Sequence, residues 1–183
     1  MAKSDDNKVL SEIIIACKEG RHDGFSQIVD LYAKRLYGYF YRLSGNAEIS
    51  NDLLSEVFVK LVEKIGRYKS GSFDLWLFKI ATNTFYDHLR RQRREKKAME
   101  DHRQQLENEF KEVKDWDGKA IDMLKSRLGQ IDEQTRELIV LRYYSELSFK
   151  EIAEMRNEPI GTVLSRVHRG LAKLRELMEQ QYE

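Results

Sequence analysis

One proline, Pro159, stands in a chain of 183 residues. A sequence that so seldom fixes φ or removes a backbone donor is suited to helices, because turn-rich β folds use proline and glycine at their reversals. The apolar residues agree, recurring every three or four positions. Ile13 and Ile14 open such a pattern, which Gly20 closes as a helix C-cap. Phe25, Ile28, Tyr32, Leu36, Tyr39 and Leu43 follow until Ser44-Gly45-Asn46 breaks the run. Leu54, Val57, Phe58, Leu61 and Ile65 line a third helix that stops at Gly66. After a loop over 67–72, a fourth helix is expected over 73–94, burying Leu77, Ile80, Ala81, Thr84, Phe85 and Leu89.

The segment 96–117 is polar, poor in aliphatics and without a stripe wide enough to bury, so it reads as a charged linker. Beyond it lies a second helical unit. Ile121, Leu124 and Leu128 form one short stripe, and Leu138, Leu141 and Tyr144 form another. Asp132 is placed to N-cap the latter, with Glu133 favourable in its first turn. Ser148-Phe149-Lys150-Glu151 is a capping box, and Pro159 suits the first turn of a last helix. The expected fold class is all-α, with two small helical domains at 1–95 and 118–183 joined by the linker.

No run of about 18 apolar residues is present, which argues against a membrane-spanning helix. The first residues lack a basic-then-apolar leader. The single cysteine, Cys17, rules out an internal disulfide and reads as a small buried hydrophobe. A cytoplasmic protein is therefore expected. Net charge is only +1, yet its distribution is uneven. Six basic residues stand against two acidic ones over 86–97, and four against none over 163–175. Between them, seven acids oppose three bases over 100–117. Two cationic patches flanking an acidic stretch suit a chain that touches a polyanion in two places, though each is also compatible with a solvated helix face.

The sharpest pattern is C-terminal. A two-turn helix over 148–155, with Ile152 and Ala153 inward, meets a tight turn, Arg156-Asn157-Glu158-Pro159. A longer basic helix follows. This is the order of a helix-turn-helix. Burying Val163, Val167, Leu171 and Leu174 leaves Thr162, Ser165, Arg166, His168, Arg169 and Lys173 to face DNA, arginine for guanine and hydroxyls for base or phosphate. In the N-terminal unit, the fourth helix carries Trp76, Lys79, Asn83, Asp87 and Arg90 on its other face. Stacking surface, edge reader and charge together are what single-stranded DNA requires, although core packing is the competing role for Trp76.

These residues resemble a known family. The runs 133–144 and 147–153, then Gly161-Thr162-Val163, Ser165-Arg166 and Lys173-Leu174-Arg175, are similar to region 4 of the extracytoplasmic-function sigma factors of bacterial RNA polymerase. Asn51-Asp52-Leu53-Leu54-Ser55-Glu56-Val57-Phe58 resembles the clamp-gripping segment of their region 2. Trp76-Leu77, Ile80-Ala81, Asn83, Asp87 and Leu89-Arg90 resemble its promoter-opening helix. The resemblance implies a specificity factor that binds core RNA polymerase and directs promoter-specific initiation without catalysis or cofactor.

It further implies that Asp52, Leu53, Ser55, Glu56 and Phe58 dock on the clamp helices of the largest polymerase subunit, while region 4 meets the flap of the second-largest. The −10 element would be melted and held by Tyr68, Lys69, Ser72, Phe73, Trp76, Lys79, Asn83, Asp87 and Arg90, with a flipped base in a pocket of the loop over 68–73. Region 4 would read the −35 element, and an anti-sigma factor would hold the chain inactive. Leu164, where the family often carries a cation, Ser55, where glutamine is common, and Asn157, in a turn that often holds glycine, depart from the pattern. Two other functions fit parts of the chain. One is a free-standing dimeric helix-turn-helix regulator on a palindromic operator. The other is a helical nuclease using Asp52, Glu56 and His88, although no ligand-spaced histidine or cysteine accompanies that carboxylate pair.

Overall fold

A computed structural model describes the backbone of residues 2–102 and 127–179, and side chains within these from residue 8 to 95 and from residue 127. All regular structure in the described residues is helical. The N-terminal unit is α1 (Ala2–Lys18), α2 (His22–Ser44), α3 (Ala47–Lys64), a 3₁₀ turn (Ile65–Arg67) and α4 (Phe73–His102). The C-terminal unit is α5 (Glu133–Tyr143), α6 (Phe149–Arg156) and α7 (Ile160–Glu179).

Local chemistry sets most of the ends. Gly45 takes the left-handed conformation at φ 68°, donating its N–H to the Tyr41 carbonyl, and so stops α2. Asn46 then N-caps α3 by accepting from the Ile49 N–H at 3.0 Å. Ser72 does the same for α4, its Oγ taking the Leu75 N–H at 3.2 Å. Asp132 caps α5 through the Thr135 N–H at 2.9 Å. The capping box of α6 is complete, with Ser148 and Glu151 each accepting from the other's backbone. Asn157, in the turn where the family often holds glycine, supplies the left-handed C-cap at φ 53°.

Three expectations change. α4 does not stop near residue 94 but continues to His102, so residues 96–102 of the segment read as a linker are helical. Lys, Ala, Met and Glu, which fill most of this stretch, are good helix formers. The rest of that segment, with Ile121 and Leu124, lies outside the described residues. Pro159 sits just before α7, its carbonyl accepting from the Thr162 N–H at 2.9 Å, so it occupies the N-cap and not the first turn. On α3 the buried residues are Leu53, Val57 and Leu61, while Leu54 and Phe58 are only half-buried.

The core is continuous between the two units. Leu36, Tyr39, Phe40, Leu77 and Phe78 from the first join Leu138, Leu141 and Ile152 from the second, all essentially inaccessible. The C-terminal unit rests on α2 and α4. Tyr144 lies across α2 at Gly38, donating its hydroxyl to the Lys34 carbonyl at 3.1 Å. The Arg42 guanidinium lies 3.6 Å from the centre of that ring. A Cβ at residue 38 would fall on the Tyr144 hydroxyl, so any side chain there would have to displace that ring.

Candidate nucleic-acid interface

The helix-turn-helix expected from the sequence is present as α6, the 157–159 turn and α7. Val163 and Val167 bury one side of α7, joined by Gly170, which packs on Thr135 and Ile139 of α5. Leu171 and Leu174 are half-buried. The opposite side exposes Ser165, His168, Arg169 and Lys173, with Thr162 half-exposed at its start. Arg166 shares this side but is tied to Glu158, Nη1 to Oε2 at 2.9 Å. Arg166, Arg169 and Lys173 line a cleft of about 280 Å³ against Asp132, Gln134 and Thr135. Such a helix presents donors and cations along one groove-sized edge.

In the N-terminal unit a second cleft of about 230 Å³ opens between the loop over 67–72 and α4. Tyr68, Lys69, Ser72, Trp76 and Lys79 line it as expected, and Arg67, Ser70, Gly71 and Leu75 join them. The Tyr68 hydroxyl donates to the Gly71 carbonyl at 2.7 Å, closing the loop on itself. The Tyr68 and Trp76 rings stand 5.4 Å apart, and Trp76 is half-buried, neither core nor fully exposed. Phe73 belongs elsewhere. It is 3% exposed and packs edge-on to Tyr32 at 5.5 Å, so it supports the Tyr68 and Trp76 rings from the core side and cannot itself meet DNA. Its position at the first turn of α4 turns it towards α2, which loop residues of the same stretch are free not to follow.

Further along α4, Lys79, Asn83 and Arg90 are exposed and Asp87 half-exposed. Asp87 is paired with Arg90 and lies 3.9 Å from Lys60. Lys60 also holds Glu56 at 2.7 Å and donates to the Thr84 hydroxyl at 3.0 Å. The residues expected to dock on polymerase from α3 differ in exposure. Asp52 and Ser55 are exposed, while Glu56 and Phe58 are half-buried. Leu53, at 2% exposure, is a core residue and makes no part of that surface. Sequence reasoning missed Val59 and Val62, exposed at 58% and 54%. They follow Ser55 by four and seven residues, a spacing that places all three on one stripe.

The most buried charge was also missed. Glu137 of α5 is fully inaccessible and pairs with Arg156 at 3.0 Å within the C-terminal unit. The N-terminal unit covers this pair. Tyr86 donates to Glu137 Oε2 at 2.8 Å and Tyr39 to Oε1 at 3.2 Å, while Tyr39 also bonds Thr82 at 2.9 Å. Burial pushes the Glu137 carboxyl above its ordinary range, although Arg156 and the hydroxyls pull the other way. Burial beside that carboxyl raises the Tyr86 phenol to about 12. Glu137 precedes Leu141 and Tyr144 by four and seven residues, so its place on their buried stripe was the available signal. Among the described residues no cluster of three His, Cys, Asp or Glu is arranged to hold a metal.

A helix-turn-helix with a cationic outer face, beside an aromatic cleft flanked by a basic helix, is the arrangement of a DNA-binding protein. Residues 28–95 match the family described as Sigma-70 region 2, and residues 127–176 match Sigma-70, region 4. The chain is 31% identical to the ECF RNA polymerase sigma factor SigW of Bacillus subtilis, over 92% of this chain and 96% of the relative. It is 32% identical to the RNA polymerase sigma factor CarQ of Myxococcus xanthus, over 88% and 92%. The sigma factor RpoE of Bartonella quintana, solved with the anti-sigma factor NepR, superposes with a TM-score of 0.70 at 27% identity, covering 85% of this chain and 96% of that one. The chain belongs to the extracytoplasmic-function family of RNA polymerase sigma factors. It is a transcription initiation factor that binds core RNA polymerase and directs promoter-specific initiation.

Proposed function

We propose that the two surfaces divide promoter recognition between them. α7 reads a −35 element as duplex through Thr162, Ser165, Arg166, His168, Arg169 and Lys173. The α4 cleft takes up the opened −10 element through Tyr68, Lys69, Ser72, Trp76, Lys79 and Asn83, with Phe73 beneath the rings as support. The observation that carries this reading is the cleft itself. A half-buried tryptophan tilted against a tyrosine, with Lys69 and Lys79 lining the same cleft, offers a base a π-face and its phosphate a cation. Asp87 and Arg90, paired with each other, contribute at the edge of that surface.

Core polymerase docks on the exposed stripe of α3, where Asp52, Ser55 and Glu56 meet basic clamp helices and Val59 and Val62 add apolar contact. Region 4 meets the polymerase flap. The protein acts in the cytoplasm, without catalysis of its own, and an anti-sigma factor restrains it; its Bartonella relative was solved in complex with one.

The test is capture of purified core polymerase by wild type and by an Asp52→Arg, Glu56→Arg double variant. Stoichiometric wild-type binding, lost in the folded double variant, supports the reading. Undiminished binding by the double variant overturns the α3 assignment.

A further inference from the structure

The geometry points to Leu164 of α7, seated beside Ile160 and Gly161, as the reader of a thymine methyl group in the −35 element. This deepens the reading of α7 given above and rests on it. The first turns of a recognition helix are the part that reaches base edges. In α7 the polar side chains of those turns are largely engaged within the protein. Ser165 donates its hydroxyl to the Thr162 carbonyl at 3.0 Å. Arg166 is held by Glu158 at 2.9 Å, and Glu158 also lies 3.8 Å from Arg156. What the same end presents outward is apolar, with Ile160 48% exposed and Leu164 42% exposed. They stand four residues apart and so are neighbours along one edge of the helix. Leu164 is no part of the core, since Val163 and Val167 fill that side of α7 and are closed off from solvent.

A hydrophobe in this place has one partner in the major groove. Every base pair offers donors or acceptors there, and thymine alone adds a methyl group. Arg169 and Lys173, exposed further along the same helix, can hold the phosphates while the first turns meet the bases. Gly161 supports the same contact. It is exposed, precedes Leu164 by three residues and Ser165 by four, and has nothing within 4 Å of the place a Cβ would take. Packing therefore does not require glycine at this position, and glycine weakens a helix. A missing side chain on the outer face lets the backbone come closer to the groove floor. That approach brings Leu164 into contact with a methyl group.

The test uses core polymerase reconstituted with the full chain, which first selects its preferred duplex from a pool randomised through the promoter region. Each thymine of the upstream element, on either strand, is then replaced singly by deoxyuridine, which removes only the methyl group. Competition binding is measured for parent, Leu164→Ala and Arg169→Ala. Leu164 is exposed and alanine favours a helix, so the first variant keeps its fold. At one thymine, or two neighbouring ones, uracil should weaken the parent by about fourfold, the worth of one methyl group taken out of water. The same replacement should leave Leu164→Ala unaffected. Gly161→Ala should raise the denaturation midpoint and yet weaken binding of the thymine duplex; full affinity in that variant overturns the close approach on which the contact depends. Uracil tolerated everywhere by the parent, a methyl effect undiminished in Leu164→Ala, or a selected element without thymine on either strand overturns the assignment of Leu164. If Arg169→Ala is weakened in those cases, α7 remains the reader of the element. Arg169→Ala that binds as tightly as the parent removes α7 as the reader, and this inference with it.

Discussion

Arg156→Met should loosen the contact between the two units in a strongly pH-dependent way. The variant keeps the length of the side chain but leaves the Glu137 carboxylate, which has no exposure, without its cation. Stranding a buried charge typically costs about 3–5 kcal/mol, yet a carboxyl can take up a proton instead. From its ordinary value of 4.5, protonation at pH 7 costs about 3.4 kcal/mol and at pH 5 about 0.7 kcal/mol. Those figures bound the charge penalty on closure, so the closed fraction should recover by up to about a hundredfold in ratio between pH 7 and pH 5.

The sign follows from linkage. A carboxyl raised in the closed form binds more protons there than in the open form, so closure weakens as pH rises through the ordinary carboxyl range. Loss of the Arg156 contacts to Tyr86 and Glu158 adds a part that does not vary with pH. The assay is energy transfer between dyes on the two units, followed from pH 5 to 7. Glu137→Gln in the same background should flatten the profile. A penalty equal at pH 5 and pH 7, or a slope that survives Glu137→Gln, would refute the reasoning.

Leu53→Ala should cost about 2–5 kcal/mol of global stability by chemical denaturation, since it empties a core position; a variant of native stability that only fails to bind polymerase would restore Leu53 to the docking face. Val59→Glu with Val62→Glu should leave the melting temperature nearly unchanged, because both side chains are exposed, while weakening core polymerase binding measured by anisotropy. Ser148→Ala removes one half of a capping box and should cost about 1 kcal/mol, read as a lower midpoint in urea. Tyr86 holds its proton to about pH 12 in the closed form against 10.0 when free. The contact should therefore weaken as pH rises from 10 towards 12, and one late step in the 295 nm tyrosinate titration should vanish in Tyr86→Phe.

The helices, most of their ends and the helix-turn-helix were legible because each depends on neighbours within about one turn. The Asp132 cap, the Ser148–Glu151 box and the left-handed Asn157 all involve residues no more than five apart. The exposed face of α7 followed for the same reason: a stripe of Val163 and Val167 leaves its opposite side free whatever it packs on. Aromatics were harder. Phe73 and Trp76 are neighbours on α4, and both fit a stacking surface by type. Only the position of Tyr32 on α2, more than forty residues earlier, assigns one to the core and the other to the cleft. Leu53 was expected on the surface and Val59 was passed over because a helix three sides of which can be apolar does not state which side its partner takes.

What the sequence by itself determined is the set of helices, their polarity and their two cationic surfaces, since periodicity and capping are local and act before any packing. What the tertiary structure decided is how the second unit sits on the first. A glycine at 38 that admits a tyrosine from residue 144, and a carboxylate at 137 that two distant phenols seal from water, carry no local signature. Their meaning depends on surfaces brought together from opposite ends of the chain, and burial and electrostatics are properties of that meeting.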